Sequence, residues 1–294
     1  MRWLNFFHEG RVRPGLLLPD QEHVIDLTRE DPGAAAPWEI QLESGGWRAL
    51  AERLQNAGWV SAPLPLAGLR LAPPLTRPSK VVAIGLNYRD HAAEQNRTPP
   101  EEPLLFAKAS SCLIGHESPI VVPAQEERPD VEAELAFVVG RTARDVSPGE
   151  ALDCIAGITA MNDVSGRAAQ YGDRQWFRGK SYDTFGPLGP WVVTLEEIPD
   201  LQGLRLQCRV NGETRQDGTT ADMIFGVREL LSYISRQMTL WPGDVVSTGT
   251  PAGVGVFRDP PLFLQDGDVV EVELERVGVL RNPVTRPTSS ADRS

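Results

Sequence analysis

The sequence predicts a mainly β, α+β fold: one large domain preceded by a small α/β unit. Three observations lead there. Short apolar, β-branched runs separated by turn residues follow one another from "VVAIGLNY" onward. With 27 Gly and 25 Pro in 294 residues, the chain is too rich in turn formers for a helical bundle. The runs are also not regularly interleaved with helical patterns, which argues against a parallel βαβ sheet and for a mixed, mostly antiparallel one.

Residues 1–72 read as the small unit. Its elements are "MRWLNFF", a turn at Glu9 and Gly10, "RVRPGLLL", "HVIDL", and a helix around "WRALAERLQNAG" stopped by Gly58. It carries no chemical constellation. Residues 62–79 are rich in proline, which fixes φ and keeps the preceding residue out of the helical region, so they form an ordered, extended connection. Residues 73–282 make the larger domain. Its strands fall on "PLLFAK", "PIVVP", "VEAELAFVVG", "AGITAMNDV", "PWVVTLEEI", "LRLQCRVNG", "GDVVSTGT" and "GDVVEVELERVGVL". Helices fall near Asp90–Gln95, Pro148–Ile155 and Met223–Met238, and residues 283–294 form a polar tail.

Composition excludes several function classes. Hydrophobic residues at 41% and charged ones at 23% are ordinary globular usage, so disorder is disfavoured. The net charge is −11 and no Lys/Arg block stands out, which argues against nucleic acid and anionic membrane surfaces as partners. No apolar run is long enough to span a bilayer, and the first one, Trp3–Phe7, is too short for a signal segment; a cytoplasmic protein is expected. Cys112, Cys154 and Cys208 are odd in number and lie in apolar contexts, which suggests buried thiols. Only three of the 29 basic residues are lysines: Lys80, Lys108 and Lys180. Lysine so depleted is expected to persist where a compact ammonium is required, although Lys80, beside a strand start, reads as incidental.

In the run Val131–Gly140, strand alternation points Glu132 and Glu134 to the same side of an otherwise apolar segment. Two adjacent carboxylates need a counter-charge, and oxygen-only ligands suit Mg²⁺, Mn²⁺ or Ca²⁺. A solvated face of an edge strand is the competing explanation. Asp163, closing "IAGITAMND", adds a third acid at a strand end, or else caps a following helix. His91 and Glu94 lie at i and i+3 in "NYRDHAAE", a spacing that lets the carboxylate orient the imidazole as a general base; Asn87 or Asp90 could cap that helix. A purely structural histidine is the alternative. Lys180 in "QWFRGKSYDTFGPLGP" can stabilise an enolate as a point charge, and Lys108 and Arg178 are candidate substrate contacts. The Gly-rich "STGTPAGVG", with Thr250, matches neither a phosphate loop nor a dinucleotide fingerprint; its amides can cradle a carboxylate, or it is a plain turn.

Together "NYRDHAAE", "VEAELAFVVG", "AMNDVSGR", "QWFRGKSYDTFGPLGP", "VNGETRQDGTTADMIF" and "MTLWPGDVVSTGTPAGVG", spanning about residues 80–280, resemble the fumarylacetoacetate hydrolase family. The resemblance implies a mixed β-sandwich roll, commonly dimeric. It also implies a divalent ion on Glu132, Glu134 and Asp163, a His91–Glu94 dyad and an active-site Lys180. Two departures stand out: Ala109 follows Lys108 where many relatives have proline, and Gly186 replaces a cysteine. Both leave the substrate open, as do pocket walls from loops such as Asn96–Glu102.

The function expected first is metal-dependent hydrolysis of a carbon–carbon bond in a small diketo acid, acylpyruvate-like or a 2,4-diketo sugar acid. In it, His91 deprotonates the attacking water and the site holds the departing enolate. The alternative is a decarboxylase or tautomerase (isomerase) of 2-oxo acids on the same enolate-holding site. A non-catalytic, metabolite-binding homodimer is the third.

Overall fold

The computed structural model describes residues 1–30, 38–45, 49, 53 and 58–287. Most of the helix expected around residues 47–58 and the tail residues 288–294 lie outside the described residues. Two sheets carry the fold. In the larger one, the order from one edge is Leu64–Pro65, His23–Asp26, Arg11–Leu17, Arg2–His8, Gly186–Val193, Ile155–Asn162, Ala133–Val139, Val245–Ser247, Val81–Gly85 and Leu104–Lys108. The smaller sheet runs Glu213–Thr219, Arg205–Val210, Val269–Leu274, Gly278–Thr285 and Ile120–Val121. Most neighbours are antiparallel; Val245–Ser247 lies parallel to Val81–Gly85. The fold is mixed α+β and predominantly β.

Ala133–Val139 shows why the site is where it is. It sits in the middle of the large sheet and is buried on both faces, which is why it reads as a nearly continuous apolar run. Leu135, Phe137 and Val139 pack toward the smaller sheet with Leu206, Val272 and Leu280. Ala136 and Val138 face the opposite cluster, around Trp3, Trp38, Leu188 and Val245. The solvated-edge explanation for Glu132 and Glu134 therefore fails: their segment is central and their side chains are buried.

Among the described residues helices are few, as expected, and the longest, Val227–Gln237, lies within the stretch expected near Met223–Met238. Val227–Gln237 buries Val227, Leu230, Leu231 and Ile234 on one face, and its Gly226 amide donates to Glu229 Oε2 at 2.9 Å. The stretch expected as helical near Pro148–Ile155 is a single 3₁₀ turn, Ala151–Cys154. At the C-terminus, Gly278–Thr285 continues past residue 282, because Val284 is buried and the Val122 amide donates to Thr285 O at 2.8 Å. The first strand pairs with Gly186–Val193 through Arg2↔Val193 and Trp3↔Val192, so one sheet contains strands from both sides of the boundary expected at residue 72.

Candidate active site

Two antiparallel strands bring the acids together. Ala133 pairs with Asn162, so Glu132 and Glu134 flank the point where the neighbouring strand ends and Asp163 begins. The Asp163 amide donates to Glu132 O at 2.9 Å, and the Glu132 amide donates to Asn162 Oδ1 at 3.1 Å. Ligand oxygens of Glu132, Glu134 and Asp163 converge within 4.8 Å, and all three residues are buried. Asp163 does not cap a helix: the next one, Arg167–Gly172, has Gly166 at its N-cap.

Three buried cations hold this cluster. Lys180 Nζ donates to Glu132 Oε2 at 2.7 Å and to Asp163 Oδ2 at 2.6 Å. Lys108 Nζ lies 2.6 Å from Asp163 Oδ1 and also donates to Lys180 O. Arg167 Nη1 pairs with Glu132 Oε1 at 2.8 Å, while its Nε and Nη2 donate to Asp130 Oδ2 at 2.9 and 2.7 Å. Burial alone would raise Glu132, but Lys180 and then Arg167 bring it down to about 2. Burial pulls Lys180 down, and Asp163 followed by Glu132 outweigh it, so the ammonium persists. Among the described residues no cation pairs directly with Glu134; it accepts from the Ser247 hydroxyl and from the Gly249 amide at 2.8 Å. Burial first, then Asp163 and Glu132, push its carboxyl well above the usual range. An all-oxygen set in which burial and neighbouring acids press Glu134 toward its neutral form fits a divalent cation, whose charge would relieve that pressure. Asn162 Nδ2, buried beside Asp163 and without a hydrogen-bond partner among the described residues, is a further polar atom facing no protein acceptor.

His91 lies on the helix Arg89–Glu94 that follows the strand Val81–Gly85. Its Nδ1 donates to Glu94 Oε2 at 3.0 Å, and its Nε2 accepts from Gln95 Nε2 at 2.8 Å, an arrangement that assigns the proton to Nδ1. The Gly-rich loop fastens this pair. The Gly253 amide donates to Glu94 Oε1 at 2.9 Å, and the Ala252 amide to Asp90 Oδ2 at 3.1 Å. Neither proposed cap acts as one, since the N-cap is Tyr88 with no side-chain bond. Asn87 instead ties the helix to the far loop, donating to Phe225 O and Thr248 O at 3.0 and 2.8 Å.

A cavity of ≈ 200 Å³ joins the two groups, with His91, Glu132, Arg167, Lys180 and Thr250 in its wall. Thr250 Oγ1 donates to Ala133 O and accepts from Gln216 Nε2, both at 2.8 Å, so it ties the loop to the acidic strand. Of the other candidate contacts, Lys108 sits fully buried behind Asp163 and positions it. Arg178 is half-exposed, paired with Asp173 at 2.5 Å and outside the lining, so the structure does not bring it to the site. Sequence reasoning passed over Arg167, Asp130 and Gln216, and read Asn87 only as a possible helix cap. The signal available was weak: buried polar residues inside otherwise apolar or turn-rich segments. A larger groove of ≈ 380 Å³ near Met1, Leu16 and Trp59 is mostly apolar, and its Arg2 and Glu197 pair with each other.

Three buried carboxylates thus lie beside a buried ammonium and a histidine held by Glu94, a set able to hold a cation and to exchange protons with a small anionic molecule. Comparison with known proteins gives the family. Residues 80–285 match the model described as fumarylacetoacetate (FAA) hydrolase C-terminal. The chain is 42% identical over 288 residues to "Oxaloacetate tautomerase fahd2, mitochondrial" of Xenopus laevis, covering 97% of this chain and 90% of that protein. Among solved structures it resembles a fumarylacetoacetate hydrolase from psychrophilic Exiguobacterium antarcticum, with a TM-score of 0.84, 36% identity, and coverage of 98% of this chain and 100% of that one. It also resembles maleylpyruvate hydrolase from Sphingobium sp. SYK-6 in complex with manganese(II) and pyruvate, with a TM-score of 0.81, 28% identity and the same coverage. The chain belongs to the fumarylacetoacetate hydrolase family.

Proposed function

We propose that this protein interconverts the keto and enol forms of a small 2-oxo dicarboxylic acid of the oxaloacetate class. The likeness to an oxaloacetate tautomerase along nearly the whole chain carries this assignment. The alternative among the sequence expectations is thus better supported than carbon–carbon hydrolysis. The catalytic residues are His91 and Lys180. His91, with Nδ1–H held by Glu94, takes a proton from the carbon next to the keto group through Nε2, once the Gln95 amide that donates to that nitrogen turns aside for the substrate. Two of the three Lys180 ammonium protons are engaged by Glu132 and Asp163, which leaves one to meet the keto oxygen as it gains charge. The proton taken from carbon by His91 is returned to the enolate oxygen, so a C–H bond breaks, an O–H bond forms, and composition is unchanged. Glu132, Glu134 and Asp163 would hold Mg²⁺ or Mn²⁺, which supplies Lewis-acid polarisation of a 2-oxo acid. A homodimer in the cytoplasm is part of the same proposal.

The test is the ultraviolet absorbance of enol oxaloacetate, followed with Mn²⁺ or Mg²⁺ alongside product analysis. Accelerated conversion to the keto isomer alone is expected. Two carboxylic fragments would establish hydrolysis instead, carbon dioxide release would establish decarboxylation, and no turnover would leave a binding protein.

A further inference from the structure

We propose that Arg97 and Arg174 form a second anion-binding position at the mouth of the active-site cavity, one that selects 2-oxo acids carrying a carboxylate at the far end. This inference rests on the tautomerase assignment for its substrate class, but its physical basis is independent of the reaction.

The cations of the cavity fall into two sets. Those at its floor are buried and already engaged: Lys180 with Glu132 and Asp163, Arg167 with Asp130, Glu132 and Gln170. The two at its rim, Arg97 and Arg174, are exposed, and neither side chain has an acidic or hydrogen-bonding partner among the described residues. Some exposed arginines elsewhere find acids, as Arg178 does with Asp173, Arg205 with Asp217 and Arg281 with Glu117, while others such as Arg11 and Arg144 have no acid partner among the described residues; what sets Arg97 and Arg174 apart is that both line the cavity. The two cavity arginines also arrive by similar routes. Each follows the C-terminal end of a short helix that places a floor residue, Arg89–Glu94 for His91 and Arg167–Gly172 for Arg167. Left-handed backbone at Asn96 (φ 52°) and at Arg174 itself (φ 60°) turns the chain there.

Between floor and rim the wall is aromatic. Phe106 and Trp176 meet edge to face at 5.1 Å, and Phe257 lies against His91. A ligand that matches this sequence of surfaces is anionic at both ends with a short carbon chain between. A planar guanidinium accepts a carboxylate in two-point fashion, and a pair of them at a rim also draws dianions in from solution. Because both side chains are hydrated in the free protein, the preference they confer is modest per residue.

The experiment uses two ligands that differ only at that far end: oxaloacetate, and 2-oxobutanoate, which has a methyl group in place of the second carboxylate. Affinities are measured by calorimetry on the Mn²⁺-loaded full chain for the native protein, Arg97→Gln, Arg174→Gln and the double variant, at low and high salt. Tautomerase rates are measured in parallel. The expected result is a fall in the oxaloacetate to 2-oxobutanoate affinity ratio of about threefold in each single variant and about tenfold in the double, together with a shallower salt dependence. An affinity ratio unchanged in the double variant overturns the inference, as does an equal loss for both ligands. If the native protein prefers oxaloacetate through these arginines yet tautomerises nothing, the functional assignment fails and the rim site stands. If tautomerisation proceeds and the ratio is unmoved, only the rim site fails.

Discussion

At Glu134 the chemistry of single residues is clearest, because its carboxyl is the member of the cluster that pairs with no cation among the described residues. Its neighbours, Ser247 and the Gly249 amide, donate to one oxygen and would serve an amide oxygen equally well. Glu134→Gln should therefore preserve the fold and weaken Mn²⁺ uptake at least about tenfold, as titration calorimetry would show. His91→Ala is expected to do the converse: cation affinity stays near native while turnover drops by roughly 10²- to 10⁴-fold. Turnover that survives the loss of the imidazole would remove His91 from the mechanism. These residues were legible because their spacing is local, Glu132 with Glu134 along one strand and His91 with Glu94 along one helix turn. Arg167 was not, since nothing in the sequence distinguishes it from Arg178. Only folding brings it to Asp130, 37 positions away. The departure at Gly186 also has a spatial cause: a Cβ built there would lie 2.7 Å from Cys112 Sγ, so a thiol on the adjacent segment fills the room a side chain would take.

Among the elements, the Gly-rich loop bears most directly on the site. Gly253 adopts φ 107°, and a Cβ at that position would meet Arg215 O at 2.2 Å, while its amide holds Glu94. Gly253→Ala is thus expected to destabilise the protein by about 1–3 kcal/mol and to lower turnover more than cation binding. Thermal unfolding and calorimetry measure the two effects separately. The loop's glycines were visible in the sequence, but their purpose was not: a plain turn and an anion cradle share the same composition. The segments around it were easier. Alternation and turn residues place "VEAELAFVVG", "AGITAMND" and "GDVV" on strands because burial on both faces leaves little but apolar side chains there. Parallel pairing of Val245–Ser247 with Val81–Gly85 joins segments far apart in sequence, and no local pattern encodes it.

For the molecule as a whole, the question is how far residues 1–72 support the rest. Trp3, Leu4 and Phe6 are fully buried, and the first strand covers Gly186–Val193. Removing residues 1–72 would uncover that strand's hydrogen-bonding edge and the apolar surface around Leu188 and Val192. Such a truncation is expected to aggregate on expression, which sedimentation would reveal; a soluble truncated chain with native cation affinity would show the unit to be dispensable.

The bond between Glu94 and the Gly253 amide spans 159 positions. During synthesis, then, the histidine emerges long before the partner that steadies its neighbour, and closure of so distant a contact belongs to the late stages of folding. Any chain cut short by a stalled ribosome or a protease upstream of residue 253 lacks that anchor.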